Sequence, residues 1–190
     1  MLDKIYAFAF KGFLSSEALD SLKILNNKTA NDEAQIIDRL SIKNLDDELV
    51  QRARRMSNVY VVIAAFENGI RQFVTKLMLE KHGATWWAQK VSEKIRTKAD
   101  NRRKDEEKNK WHTSRGLSVI YYTDFGDLAN IIGNNWDYFE DYLPSIEWVK
   151  QMFDTLEKSR NVIMHSGELA MEDIERIGVS IRDWTKQVGA

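Results

Sequence analysis

Arg160 and His165 are the two side chains best suited to chemistry, within the stretch LEKSRNVIMHSG from Leu156 to Gly167. Histidine titrates near neutral pH unperturbed, so His165 is a candidate general base or acid. Arginine clasps phosphate oxygens in bidentate fashion, so Arg160 is a candidate for stabilising charge that builds on a phosphate. The polar Asn161 follows Arg160 directly. At about 100° per residue, Asn161 and His165 share a helix face, while Arg160 lies roughly 140° round from His165. Val162, Ile163 and Met164 are core-type residues, which argues against a wholly solvated helix end. One arginine and one histidine are half an active site. The plain structural role for His165 is to sit in a last helical turn and interact with the negative end of the helix dipole.

Two further polar residues occupy a position where the pattern calls for leucine. Counting by threes and fours, Tyr60, Ile63, Glu67, Ile70, Val74 and Leu77 form one stripe. Arg71 follows Glu67 by one turn, beside Val74 and Met78. On an exposed helix such a pair is worth only about 0.2–0.5 kcal/mol. Among apolar neighbours, with Ala64 and Ala65 leaving room for an approaching group, it reads equally well as a functional polar site. Between Lys90 and Lys110 nine lysines and arginines stand against five acids. Arg102, Arg103 and Lys104, with Trp111 beyond, are candidates for tracking phosphates and stacking a base; the simpler reading is a solvated helix that frays into a loop.

These residues need a scaffold, and the composition bounds it. A chain of 190 residues, 43% hydrophobic and 30% charged, is enough for one sizeable domain with or without an appendage. A net charge of −1 gives no global attraction to nucleic acid, so any such role must rest on local patches. There is no cysteine, which removes disulfides, thiolate nucleophiles and thiolate metal sites. His82, His112 and His165 do not pair at metal-ligand spacing, and no glycine-rich phosphate loop follows a strand, so neither a metal nor another cofactor is expected. The opening MLDKIYAFAFKGFL mixes charge into its apolar run and does not read as a signal peptide. Met56 to Phe66, the longest uncharged apolar run, is about half a membrane span. A cytoplasmic protein without a membrane segment is the expectation.

One proline, nine glycines and apolar residues recurring at three and four predict an all-α fold. Short helices are expected over 2–14, 16–26 and 32–41, giving a helical extension over 1–44 and a main domain over 45–190. Asn44 or Asp46 caps a helix of some 37 residues ending at His82-Gly83, apolar on nearly all sides in its middle and so expected to run through a bundle's centre. Thr85 should cap the next helix, from Trp86-Trp87 through the basic stretch. Thr123 or Asp124 should start a helix ended by Gly133-Asn134-Asn135, and Trp136, Phe139 and Tyr142 a short one. Pro144 should begin the helix that Gly167 closes. Met171, Ile174, Ile177, Ile181 and Trp184 are expected to face inward on the last helix.

Arg160, Asn161 and His165 near the end of the penultimate long helix resemble the signature of the HEPN superfamily. FENGIRQFV on an early long helix, the Trp86-Trp87 pair and the YYTDFGDLANII block are similar to one branch of it. That branch includes the HEPN domain at the end of a eukaryotic endoribonuclease of mRNA–protein quality control, and domains of many bacterial defence proteins. The resemblance covers about residues 45–190. It implies a helical bundle that dimerises, so that two arginine–histidine motifs face one cleft. It further implies a metal-independent endoribonuclease in which the ribose 2′-hydroxyl attacks the adjacent phosphate. His165 would then be general base or acid, Arg160 the phosphate clamp, Asn161 an orienting group, and Glu67 and Arg71 the charged pair beside the motif. Four residues separate Arg160 from His165, the shortest form of the signature.

The expected function is therefore a homodimeric ribonuclease acting on RNA, as a toxin or phage-defence effector that an antitoxin or other regulatory protein could restrain. The alternative is a non-catalytic HEPN module binding RNA, a nucleotide or a partner protein.

Overall fold

The computed structural model describes Asp32 and residues 35–189, and the helices expected over 2–14 and 16–26 lie outside them. The chain divides into two compact units, meeting between Gln51 and Arg52. Every regular element among the described residues is helical. After a short 3-10 turn at Ile42–Asn44 comes α1, Asp47–His82, 36 residues and roughly 54 Å long. Asp46 starts it, its carboxylate accepting the Leu49 N–H at 3.1 Å. Gly83 ends it at φ +63°, the left-handed conformation that glycine adopts without strain.

The stripe on α1 is buried through Met56, Val59, Ile63, Glu67, Ile70, Val74 and Leu77. Two expectations fail here. Tyr60 is 41% exposed, and Val61 and Val62 are also open to solvent. So α1 is not enclosed on all sides, because among the described residues the other helices cover only one of its faces.

The helix expected from Trp86 through the basic stretch is broken at Val91-Ser92 into α2, Trp86–Lys90, and α3, Glu93–Glu107. Thr85 makes no side-chain cap; its hydroxyl instead donates to the His82 carbonyl at 3.4 Å. After a 3-10 turn at Val119–Tyr122 comes α4, Phe125–Asn134, started by Asp124 rather than Thr123. The aromatic segment after it forms only a 3-10 turn at Trp136–Tyr138, with Phe139 fully buried and Tyr142 half exposed. Next is α5, Ile146–Met164, whose cap is Ser145, accepting the Trp148 N–H at 3.1 Å; Pro144 lies just before the cap, not within the helix. The last helix is α6, Met171–Val188, with Ile177 and Trp184 buried but Met171 66% exposed, contrary to its place in the pattern.

The core joins these helices. Phe125, Leu128, Ile131 and Ile132 of α4 meet Val149, Phe153 and Leu156 of α5 and Ile63, Ile70 and Val74 of α1, all of them buried. Each such side chain contributes about 1.5–3 kcal/mol on leaving water. Trp184 of α6 is the hub of a second cluster, edge-on to Phe66 and Phe73 at 5.6 Å and stacked on Trp148 at 6.1 Å.

The end of α5 sets the geometry of the His165 turn. The Gly167 N–H donates to the Val162 carbonyl at 2.8 Å and the Ser166 N–H to Ile163 at 3.0 Å, a Schellman turn in which His165 is the cap. Gly167 closes the helix, but it is Ser166 that takes the left-handed conformation, at φ +62°. Gly167 is needed for another reason: a Cβ there would stand 2.9 Å from the Val162 carbonyl oxygen. Ser166→Gly is expected to raise stability by about 0.5–1 kcal/mol, read by urea denaturation, since it relieves a left-handed serine. Gly167→Ala should lower it.

Candidate functional site

Glu67 reaches the site from α1 and Arg160 from α5. Arg160 Nη1 donates to the Glu67 carboxylate at 3.2 and 3.4 Å, and Arg71 Nη2 donates to the same group at 2.6 Å. Glu67 is 6% exposed and Arg71 9%. One buried carboxylate therefore holds two guanidinium groups. Arg71 also donates to Asn68 Oδ1 and to the Thr123 carbonyl, both at 2.8 Å, which ties α1 to the segment before α4. Burial lowers the pKa of Arg71 against the opposing pull of Glu67, and the Arg160 charge lowers it further. The stripe position of Glu67 is thus explained: it faces protein charge, not water.

These residues line an open cleft of about 500 Å³, together with Tyr60, Tyr121, Arg102, Arg115 and Asp124. Four arginines face two carboxylates there, and each carboxylate is already bonded to cations. Asp124 receives Lys98 Nζ at 2.7 Å and Arg102 Nη2 at 3.0 Å, and Arg102 Nη1 donates to the Tyr122 carbonyl at 2.7 Å. The lining thus carries more guanidinium groups than carboxylates, although Arg115 Nε also donates to Glu106 at 2.5 Å.

His165 stands apart from the cleft lining. It is exposed at the end of α5, its N–H donating to the Asn161 carbonyl at 3.1 Å. Val162 and Met164 beside it are 40% and 60% exposed, not core residues. Asn161 is exposed too, its Oδ1 3.5 Å from Arg160 Nη2. The following turn is pinned to α1: Glu168 accepts from Arg52 and Arg55, and the Leu169 N–H approaches Met56 Sδ at 3.4 Å. Within one chain, then, Arg160, Glu67 and Arg71 converge, and His165 is presented at the surface one turn beyond.

Among the residues of the basic stretch, only Arg102 joins the cleft. Arg103 pairs with Glu107 on its own helix at 3.2 Å, Lys104 is exposed, and Trp111 is 85% exposed in the loop after α3. Arg115, Tyr121 and Asn68 were not singled out by sequence reasoning. Asn68 could have been found as the polar neighbour of Glu67; Arg115 and Tyr121 reach the cleft through a loop whose path no periodicity reveals.

A family model for Swt1-like HEPN domains matches residues 62–189. This chain belongs to the Swt1-like HEPN family. No curated protein and no solved structure matches it. Membership places the HEPN fold seen here within a superfamily of RNA-binding and nuclease domains. The match begins inside α1 and takes in every cleft residue except Tyr60. Among the described residues of this HEPN domain, no three His, Asp or Glu side chains are grouped as a metal ion would require, and no helix is long and apolar enough to cross a membrane.

The HEPN cleft is buttressed by a charged cluster at the start of α4. Asp124 and Asp127 form a capping box: Asp124 Oδ1 accepts the Asp127 N–H at 2.9 Å, and Asp127 Oδ2 accepts the Asp124 N–H at 3.2 Å. Lys98 reaches both carboxylates, at 2.7 and 3.0 Å. Burial opposes the charge on Asp124, but donation from Lys98, Arg102 and the Asp127 amide outweighs it and holds Asp124 well below the usual carboxylate range. Burial, with Asp124 close by, pushes Asp127 up. Burial and the same neighbour raise Glu157, which accepts the Gly126 N–H at 3.2 Å. Because the folded pKa of Asp124 is depressed, the stability it contributes is fully present above its unfolded value near pH 4 and is lost as pH falls further. Lys98→Gln should cost about 1 kcal/mol at pH 7, the ammonium being partly exposed. Urea denaturation of both proteins at pH 7 measures that gap.

Proposed function

We propose that this HEPN domain is a metal-independent endoribonuclease that cleaves RNA by attack of a ribose 2′-hydroxyl on the adjacent phosphate. The observation that carries the reading is Arg160 fixed by buried Glu67 at the edge of an arginine-lined cleft, on the same helix end that presents His165. Arg160 and Arg71 supply fixed positive charge for the phosphate as negative charge builds on its oxygens. Glu67 positions both arginines, so they need not reorganise during the reaction. His165 removes the 2′-hydroxyl proton or delivers one to the leaving 5′-oxygen, with Asn161 orienting the reacting groups.

Because His165 is outside the cleft lining of its own chain, the working site is a homodimer in which two motifs face one another and one histidine serves as base, the other as acid. Exposed Val162 and Met164 lie within the motif, between Arg160 and His165, as an interface there would require. Arg102 holds the strand within the cleft, and Arg103, Lys104 and Trp111 guide it outside. The biological setting that suits such an enzyme is a toxin or phage-defence effector under a regulatory partner, with residues 1–44 as an extension to the domain.

The test is purified protein with RNA, for the wild type, Arg160→Ala and His165→Ala. Cleavage by the wild type alone, with specific activity falling on dilution through the dimer dissociation range, supports the reading. The exposed position of His165 favours a second reading, a module that binds RNA without cutting it. Intact RNA under all conditions with measurable binding would select that one.

A further inference from the structure

Tyr121 and Arg71 line two cavities. One is the arginine cleft; the other is a slot of about 380 Å³ walled by Gln72, Thr75 and Leu79 of α1 and by Ser118, Ile120 and Tyr121 of the segment opposite. The slot differs in kind from the cleft. Its walls combine aliphatic and aromatic surface from Leu79, Ile120 and Tyr121 with three neutral polar groups, the Gln72 amide and the Thr75 and Ser118 hydroxyls. An apolar pocket with a few convergent donors and acceptors suits a flat heteroaromatic ring with polar edges. Lys76 stands at its rim, where a cation can meet a phosphate.

The Tyr121 wall is built to stay in place. The Arg71 guanidinium carbon lies 5.9 Å from the Tyr121 ring centroid, and Arg71 is itself held by Glu67, Asn68 and the Thr123 carbonyl. On the loop side, Gly116 lies so close that a Cβ there would stand 2.8 Å from Tyr121 Cδ2. A ring held by a guanidinium and a glycine backbone, with part of its surface lining the slot, makes a stacking surface at low entropic cost.

We infer that this slot is a nucleobase subsite: it takes one unpaired base of the strand whose phosphates lie in the arginine cleft, with Tyr121 as its stacking face and Gln72, Thr75 and Ser118 reading its edge. The inference rests on the proposed RNA ligand, not on cleavage. Continuity carries it, since Arg71 and Tyr121 belong to both cavities and a strand crossing from cleft to slot passes over them. It also assigns base selectivity to α1 and the Ser118–Tyr121 segment, away from Arg160 and His165.

The experiment uses the full chain and uncleavable probes: 2′-O-methyl RNA hexamers of four homopolymer sequences, and a backbone-matched abasic hexamer, read by fluorescence anisotropy. The wild type should bind its preferred hexamer about tenfold more tightly than the abasic one, the order expected for one stacked base. Thr75→Trp fills the slot from α1, and Tyr121→Ala removes the stacking wall. Thr75→Trp should bring the preferred hexamer down to the abasic level and leave abasic binding unchanged; Tyr121→Ala, whose ring also borders the cleft, should lower the preferred hexamer by more than the abasic one, while Tyr121→Phe should keep the wild-type difference. Equal loss for both probes, or no loss for either, would overturn the subsite. Cleavage is scored separately on ordinary RNA. Base-dependent binding without cleavage would sink the nuclease reading alone, and cleavage with base-indifferent binding would sink the subsite alone.

Discussion

Glu67→Ala is expected to lower the free energy of unfolding by about 3–5 kcal/mol, the largest stability effect among the cleft residues. Its carboxylate accepts from Arg71 at 2.6 Å and from Arg160 at 3.2 Å, and it is almost wholly buried. Removal leaves two guanidinium groups facing each other without the anion between them. Arg71 cannot move to water, because Asn68 and the Thr123 carbonyl hold it in place. Urea denaturation at neutral pH measures the loss. Glu67→Gln keeps the shape and one acceptor and should fall between. The double variant Glu67→Leu with Arg71→Met should recover part of the stability, since an apolar pair restores packing without buried charge. It should not recover RNA cleavage. A Glu67→Ala protein as stable as the wild type would mean that the carboxylate is dispensable to the fold.

The second large effect is on rate. His165→Ala should reduce cleavage by about 10²–10⁴-fold, the usual contribution of a positioned acid or base. Stability should hardly change, because the side chain is exposed and the turn is held by backbone bonds from Ser166 and Gly167. The combination of full stability and lost rate separates a chemical role from a capping one. A capping histidine would show the reverse, a modest loss of stability through the helix dipole and unchanged cleavage.

Much of this was legible in the sequence. The all-α fold followed from the three-and-four spacing, and α1 ends where a glycine follows a histidine in the left-handed conformation. Glu67 stood out as a carboxylate in a leucine position, and the buried pair with Arg71 accounts for it. What periodicity could not reveal was which faces stay uncovered. Val61, Val62 and Met171 fit the apolar pattern yet are exposed, because no helix among the described residues packs over them. Nor could spacing show that Val91-Ser92 divides the basic helix, or that Ser166 rather than Gly167 takes the positive φ. Both are settled by local packing. Arg115 and Tyr121 were missed because a loop delivers them.

The central claim is cleavage through the ribose 2′-hydroxyl by side chains alone, and the ends of the RNA products test it most directly. Purified protein is incubated with RNA in excess EDTA, and the products are resolved by mass spectrometry. The account predicts undiminished cleavage that leaves 2′,3′-cyclic phosphate and 5′-hydroxyl ends, absent with Arg160→Ala and His165→Ala. Activity abolished by EDTA, or products with 3′-hydroxyl and 5′-phosphate ends, would contradict it.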